Sequence, residues 1–136
     1  MKQKLNYIFF TLIYMFFITS CSNSNNIKIN ENLPKDKVII YIIKRDGCPA
    51  CEYQKRVLKV KEVKELLDNY CKVVYIDVNE QEKLPKEWMH TNKTPTVHFV
   101  DSNLNRLIPS IGSVYPYEFR DAILEAKKEL DKRELK

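Results

Sequence analysis

Six consecutive apolar residues, Val38-Ile39-Ile40-Tyr41-Ile42-Ile43, run almost directly into Gly47-Cys48-Pro49-Ala50-Cys51, and this juxtaposition constrains the chain more than any other feature. An unbroken, largely β-branched run reads as a strand covered on both faces in the middle of a sheet. Asp46-Gly47 ends it, and Pro49 suits the first turn of a helix, where no amide hydrogen is needed. Cys48 is thereby expected at a helix start, among unpaired backbone amides and the positive end of the helix dipole. That setting favours the thiolate, making Cys48 both an attacking sulfur and a good leaving group. Cys51, one turn later, is spaced to close the ring and resolve a mixed disulfide.

The rest of the chain supplies the partners such a strand requires. Tyr53, Val57, Val60, Val63, Leu67 and Tyr70 fall along one stripe and predict a long helix after the cysteines. Val73–Val78 is the second strand, and the intervening helix implies a right-handed parallel crossover. A short helix is expected within Glu80–Asn92, with Pro85 in its first turn and Trp88 and Met89 facing inward. Thr96–Val100 and Arg106–Ile111 flank Asp101-Ser102-Asn103 and read as a hairpin, its second strand at a sheet edge because of Pro109. Pro116 opens a final helix with the stripe Phe119, Ala122, Ile123, Ala126 and Leu130, and its charged tail from Lys127 onward is expected to fray.

Cys-x-x-Cys spacing also serves zinc sites and static disulfides. A structural zinc needs four ligands, and only Cys71, His90 and His98 remain to complete a set, without a second paired motif. A staple closing so small a loop would stabilise little. Cys71, between helix and strand, reads as a buried spectator, and the two histidines as surface or core residues. Lysines alternating with glutamates, as in Lys59, Lys61, Glu62, Lys64 and Glu65, argue against nucleic-acid binding despite a formal net charge of +5.

This order of elements, with Thr94-Pro95-Thr96 ahead of the hairpin, resembles the thioredoxin superfamily over essentially the whole of residues 37–136. The resemblance implies an α/β fold, with a central mixed sheet of about four to five strands flanked by helices. It implies Cys48 and Cys51 as catalytic residues, supported by Gly47, Pro49 and Ala50, with no cofactor and no metal. Pro95 would be cis beside the pair, and the backbone of Thr94 would bind a substrate strand by β-addition. Val63-Lys64-Glu65-Leu66-Leu67, Thr-Pro-Thr and the later Gly112 are similar to thioredoxin-like proteins of the bacterial envelope. Three positions depart from thioredoxin itself: Gly47 stands where it has tryptophan, Ile42 where it has a buried carboxylate, and Pro49-Ala50 where it has Gly-Pro. Lys44 and Glu52 are close enough in sequence to assist proton transfer, although surface charge accounts for both.

Residues 1–20 carry the layout of a secretory signal: Lys2 and Lys4, an apolar run from Leu5 to Ile18, then Thr19-Ser20. The run is about 14 residues, short of the ~20 a membrane-crossing helix needs. Ile18-Thr19-Ser20-Cys21 resembles the lipobox of bacterial lipoproteins, which implies a diacylated Cys21 as the first mature residue. Residues 21–36 then form a polar tether to a domain at 37–136, with Ile27 and Ile29 leaving room for a short edge strand. The expected protein is a monomeric, periplasm-facing lipoprotein that reduces disulfides in exported proteins and is recharged by a membrane thiol-disulfide electron donor. A disulfide-donating oxidase or isomerase, and a non-catalytic binding or metal-handover module, are the alternatives.

Overall fold

A computed structural model describes residues 33–135. The secretory signal, Cys21, the tether up to residue 32 and the Ile27–Ile29 segment lie outside the described residues.

The apolar run forms strand β1 (Val38–Lys44), at the centre of a three-stranded sheet. It pairs in parallel with β2 (Cys71–Asp77), Ile40 opposite Val73, and antiparallel with β3 (Thr96–Val100), Ile40 opposite Phe99. Every residue from Val38 to Ile43 is buried. Alternation along the strand divides the interior into two cores. Val38, Ile40 and Ile42 face a helical layer contributing Val63, Phe119 and Ile123. Ile39, Tyr41 and Ile43 face Ile76, Leu84, Met89 and Val100 on the opposite side.

The stripe after the cysteines forms two helices rather than one, α1 (Pro49–Val57) and α2 (Lys61–Tyr70). Leu58 is still helical, but Val60 is extended (φ −61°, ψ 131°) and caps α2 without a side-chain hydrogen bond. Sequence periodicity is blind to this break, since Val57, Val60 and Val63 keep helical spacing. In one continuous helix Leu58 and Val63 would point in widely divergent directions; the break buries both and turns Val60 outward, 38% exposed.

A six-residue 3-10 helix, Val78–Lys83, replaces the short helix expected at 80–92. Asp77 caps it by accepting from Asn79 N–H at 2.9 Å. It stops before Pro85, because the residue ahead of a proline is driven out of helical geometry; Leu84 is extended (ψ 157°). Gln81 pins the following loop through two hydrogen bonds to the backbone of Thr91 (2.8 and 2.9 Å). Met89 is fully buried, and half-buried Trp88 lies edge-on to His98 with centroids 5.6 Å apart.

The hairpin is present, but its return strand is reduced to two isolated bridges, Val100 with Arg106 and Val97 with Ile111. The described sheet thus has three strands, short of the four to five expected. Pro109 sits between the two bridges and has no amide hydrogen to continue a ladder. The last helix, α3 (Pro116–Glu134), begins as predicted, with Glu118 accepting from Tyr115 N–H at 2.9 Å, and buries all five stripe residues. Its tail does not fray. Leu130 is 3% exposed, Lys127 pairs with Asp131, and Arg133 donates to Asp101 (3.1 Å) and to the carbonyl of Arg106 (2.8 Å).

Candidate functional site

At the C-terminal end of β1 the chain turns through Gly47, whose φ of +69° is accessible to glycine at little cost. Cys48 follows in extended geometry as the N-cap of α1, with Pro49 in the first turn. Cys48 and Cys51 are joined as a disulfide with Cα atoms 5.2 Å apart. The Cys48 carbonyl accepts from the amides of Cys51 (3.1 Å) and Glu52 (3.2 Å), and Cys48 Sγ accepts from Cys51 N–H at 3.2 Å. A sulfur in the N-cap position thus shares a first-turn amide with its own carbonyl oxygen.

The loop ahead of β3 meets this sulfur from the other side. The Thr94-Pro95 peptide is cis, Pro95 is buried, and Cys48 Sγ lies 3.5 Å from both the hydroxyl and the carbonyl oxygen of Thr94. Gly112 abuts the Pro95 carbonyl, 3.8 Å from where a β-carbon would stand. Residues 47–51, 94–95 and 112, distant in sequence, are thereby gathered around one disulfide. Gly47, Pro49 and Ala50 are exposed, while Cys48 and Cys51 are half-buried. Such a pair, able to bridge and reachable from solvent, is a redox-active dithiol site.

Beside Cys51 a pocket of about 340 Å³ opens, its wall shared by Ile42, Lys44, Glu52, Gln54 and Lys55. Ile42, 3% exposed, brings no ionisable group to it. Lys44 and Glu52 are engaged in solvent-facing ion pairs, with Asp46 at 3.7 Å and Lys55 at 3.9 Å.

Cys71 is not part of the site. Its register partner is Val38, at the far end of β1 from Cys48. Burial pushes its thiol up to about 12, against a smaller opposing pull from Lys37. His98 is buried, with Nδ1 2.6 Å from Ser110 Oγ, and His90 meets the Leu84 carbonyl at 3.0 Å. Among the described residues no group of three or more His, Cys, Asp or Glu side chains is arranged to hold a metal.

Two contributors escape a reading of the sequence. The Thr94 hydroxyl reaches Cys48 only through the fold. Gln54, 1% exposed, accepts from Val114 N–H at 3.2 Å and so ties α1 to the loop entering α3, while its Nε2 has no partner among the described residues. Its i, i+3, i+4 relation to Val57 and Leu58 is the one sequence signal that places it on the buried row.

No family model and no curated protein matches this chain. Solved structures do. A thioredoxin-fold protein from Helicobacter pylori superposes with a TM-score of 0.57 at 18% identity, over 74% of this chain and 84% of its own. A thioredoxin from Thermus thermophilus gives 0.54 at 22% identity, over 65% and 72%. The germline-specific thioredoxin Deadhead from Drosophila gives 0.53 at 20% identity, over 66% and 81%.

Proposed function

We propose that this chain, which has the thioredoxin fold and carries a redox-active dithiol within it, is a thiol-disulfide oxidoreductase of the bacterial cell envelope that reduces disulfides in exported proteins. The observation that carries the chemistry is the position of Cys48 Sγ, receiving Cys51 N–H at 3.2 Å and the Thr94 hydroxyl at 3.5 Å at the mouth of α1. Each donor, together with the helix dipole, stabilises negative charge on that sulfur more than it stabilises a neutral thiol.

In the reduced protein the Cys48 thiolate attacks one sulfur of a substrate disulfide. The substrate S–S bond breaks, one substrate sulfur leaves as a thiolate, and the other is held on Cys48. The Cys51 thiolate then attacks Cys48 Sγ, forming the Cys48–Cys51 bond and expelling the second substrate sulfur. Two electrons pass to the substrate, and a dithiol donor at the membrane returns them through the same exchange in reverse. The Thr94-Pro95 backbone, beside Cys48, is the edge on which a substrate strand is laid by β-addition. The export signal and the lipobox-like Ile18-Thr19-Ser20-Cys21 support placement at a membrane surface facing the periplasm.

The test is a Cys51→Ala variant expressed in cells: Cys48-linked mixed disulfides with exported proteins are expected to accumulate. Absence of such adducts, or failure of the purified pair to exchange with any dithiol or disulfide, would reject the assignment. Direction is read from the reduction potential of the pair. A reductase sits below the glutathione pool, and a value near or above it would reverse the proposed flow of electrons.

A further inference from the structure

What Thr94 offers Cys48 depends on a segment with no strand ladder or α-helix to hold it. From Leu84 to Pro95 the chain forms only turns, bends and irregular backbone. Thr94 is nevertheless placed with both its hydroxyl and its carbonyl oxygen 3.5 Å from Cys48 Sγ. Bonds within the segment are local: Lys93 N–H donates to Thr91 Oγ1 at 3.0 Å, and the Thr96 hydroxyl to the Lys93 carbonyl at 2.7 Å. They knit residues 91–96 into one turn without fixing that turn relative to the sulfur. Gln81 ties it to another element. It stands, half-buried, on the 3-10 helix that continues β2, whose last residue, Asp77, lies opposite Lys44 at the dithiol end of the sheet. Gln81 Nε2 donates to the Thr91 carbonyl at 2.9 Å, and Oε1 accepts Thr91 N–H at 2.8 Å. A primary amide thus stands in for a peptide group and reproduces the double hydrogen bond of an antiparallel bridge. Thr94 is three positions further on. Both ends of the amide are used, and neither an ionised carboxylate, which cannot donate, nor a thioether of the same length can replace it.

We propose that Gln81 is a positioning residue for the substrate-docking edge: by fixing Thr91 it holds the Thr94 hydroxyl toward Cys48 and the Thr94 backbone in the register with which a substrate strand pairs. The proposal rests on the reductase reading and specifies what aligns its first step, the attack of Cys48 on a substrate disulfide. Gln81 takes part in no covalent change. Its effect reaches the sulfur through Thr94.

Rapid-mixing kinetics of capture by Cys48 separate this role from a contribution to stability, because disulfides differ in whether they carry a backbone. In Gln81→Met on the full chain, at a pH below the Cys48 midpoint, capture of a cysteine-peptide disulfide is expected to slow about tenfold, and that of bis(2-hydroxyethyl) disulfide, which has no backbone to dock, about threefold. The smaller effect is lost thiolate alone, from a midpoint raised by about half a pH unit. In a Thr94→Val background the same substitution should leave the midpoint where it is, since the donor that Gln81 positions is already gone. A further readout needs no substitution of Gln81. With the peptide held on Cys48 of a Cys51→Ala chain, hydrogen exchange at the Thr91 amide is expected to slow relative to the free protein, because coupling between the clamp and the docking edge is reciprocal. Equal slowing of both disulfides or none, additive midpoint shifts in the double variant, or Thr91 exchange indifferent to the peptide would overturn the role of Gln81 while leaving the reductase reading intact. An unsubstituted chain whose Cys48 captures neither disulfide would overturn both.

Discussion

Cys48 owes its surroundings to one residue from its own turn and one from a loop 46 positions away. The Cys51 amide follows from the helix start and survives any side-chain change there, whereas the Thr94 hydroxyl is removable. Thr94→Val keeps the β-branched shape and deletes the donor, so the Cys48 thiol is expected to rise by about one pKa unit. Thiolate absorbance or alkylation rate against pH measures it; an unmoved titration would mean that the hydroxyl contributes nothing. His98 gives a second test, of stability rather than redox chemistry. Burial, aided by Arg106, brings its imidazole down to about 4, against a smaller upward pull from the Met89 backbone. Between about 4 and the unperturbed 6.5 the unfolded chain therefore binds more protons than the folded one, and stability falls as pH drops through that window. The loss is on the order of 3 kcal/mol when complete. His98→Gln should flatten this part of the stability-pH curve in urea unfolding, and an equally steep curve would place the proton uptake elsewhere.

At the level of elements, hydrogen bonds between segments decide where each one stops. Asp101, 8% exposed, accepts from the amides of Asn103 and Asn105 at 2.9 Å each and from Arg133 at 3.1 Å. One carboxylate thus closes the hairpin turn, in which Leu104 takes a φ of 63°, and anchors the last turn of α3. Asp101→Ala is expected to cost about 2–4 kcal/mol, because two turn amides and a guanidinium lose their acceptor. Arg133→Ala should cost about 1 kcal/mol, its side chain being partly solvated. Equal losses in the two variants, by urea unfolding, would show that the ion pair rather than the turn dominates. This coupling explains why α3 persists through a charged tail that looks ready to fray: Arg133 is spent on the hairpin, and neither partner is near it in sequence.

Across the whole molecule, β1 acts as an axis. Its first residue pairs with buried Cys71 and its last leads into the redox pair, about 20 Å away for a strand of this length. The chain therefore enters the domain at the end opposite the dithiol. Cys21→Ser is expected to lose lipid labelling and move the protein to the soluble fraction while the purified dithiol stays fully active; continued membrane retention would reject the anchor. The covered central strand, the helix mouth at Cys48, the start of α3 and its buried face all followed from local pattern, because apolar periodicity and proline placement act within a few residues. Local pattern could not determine the break at Val60, the loss of a regular fourth strand around Pro109, the contact of Thr94 with Cys48 or the burial of Gln54. Each depends on which surfaces meet once the sheet is covered, and a polar group is retained inside only where a distant backbone, here that of Val114, supplies its partner.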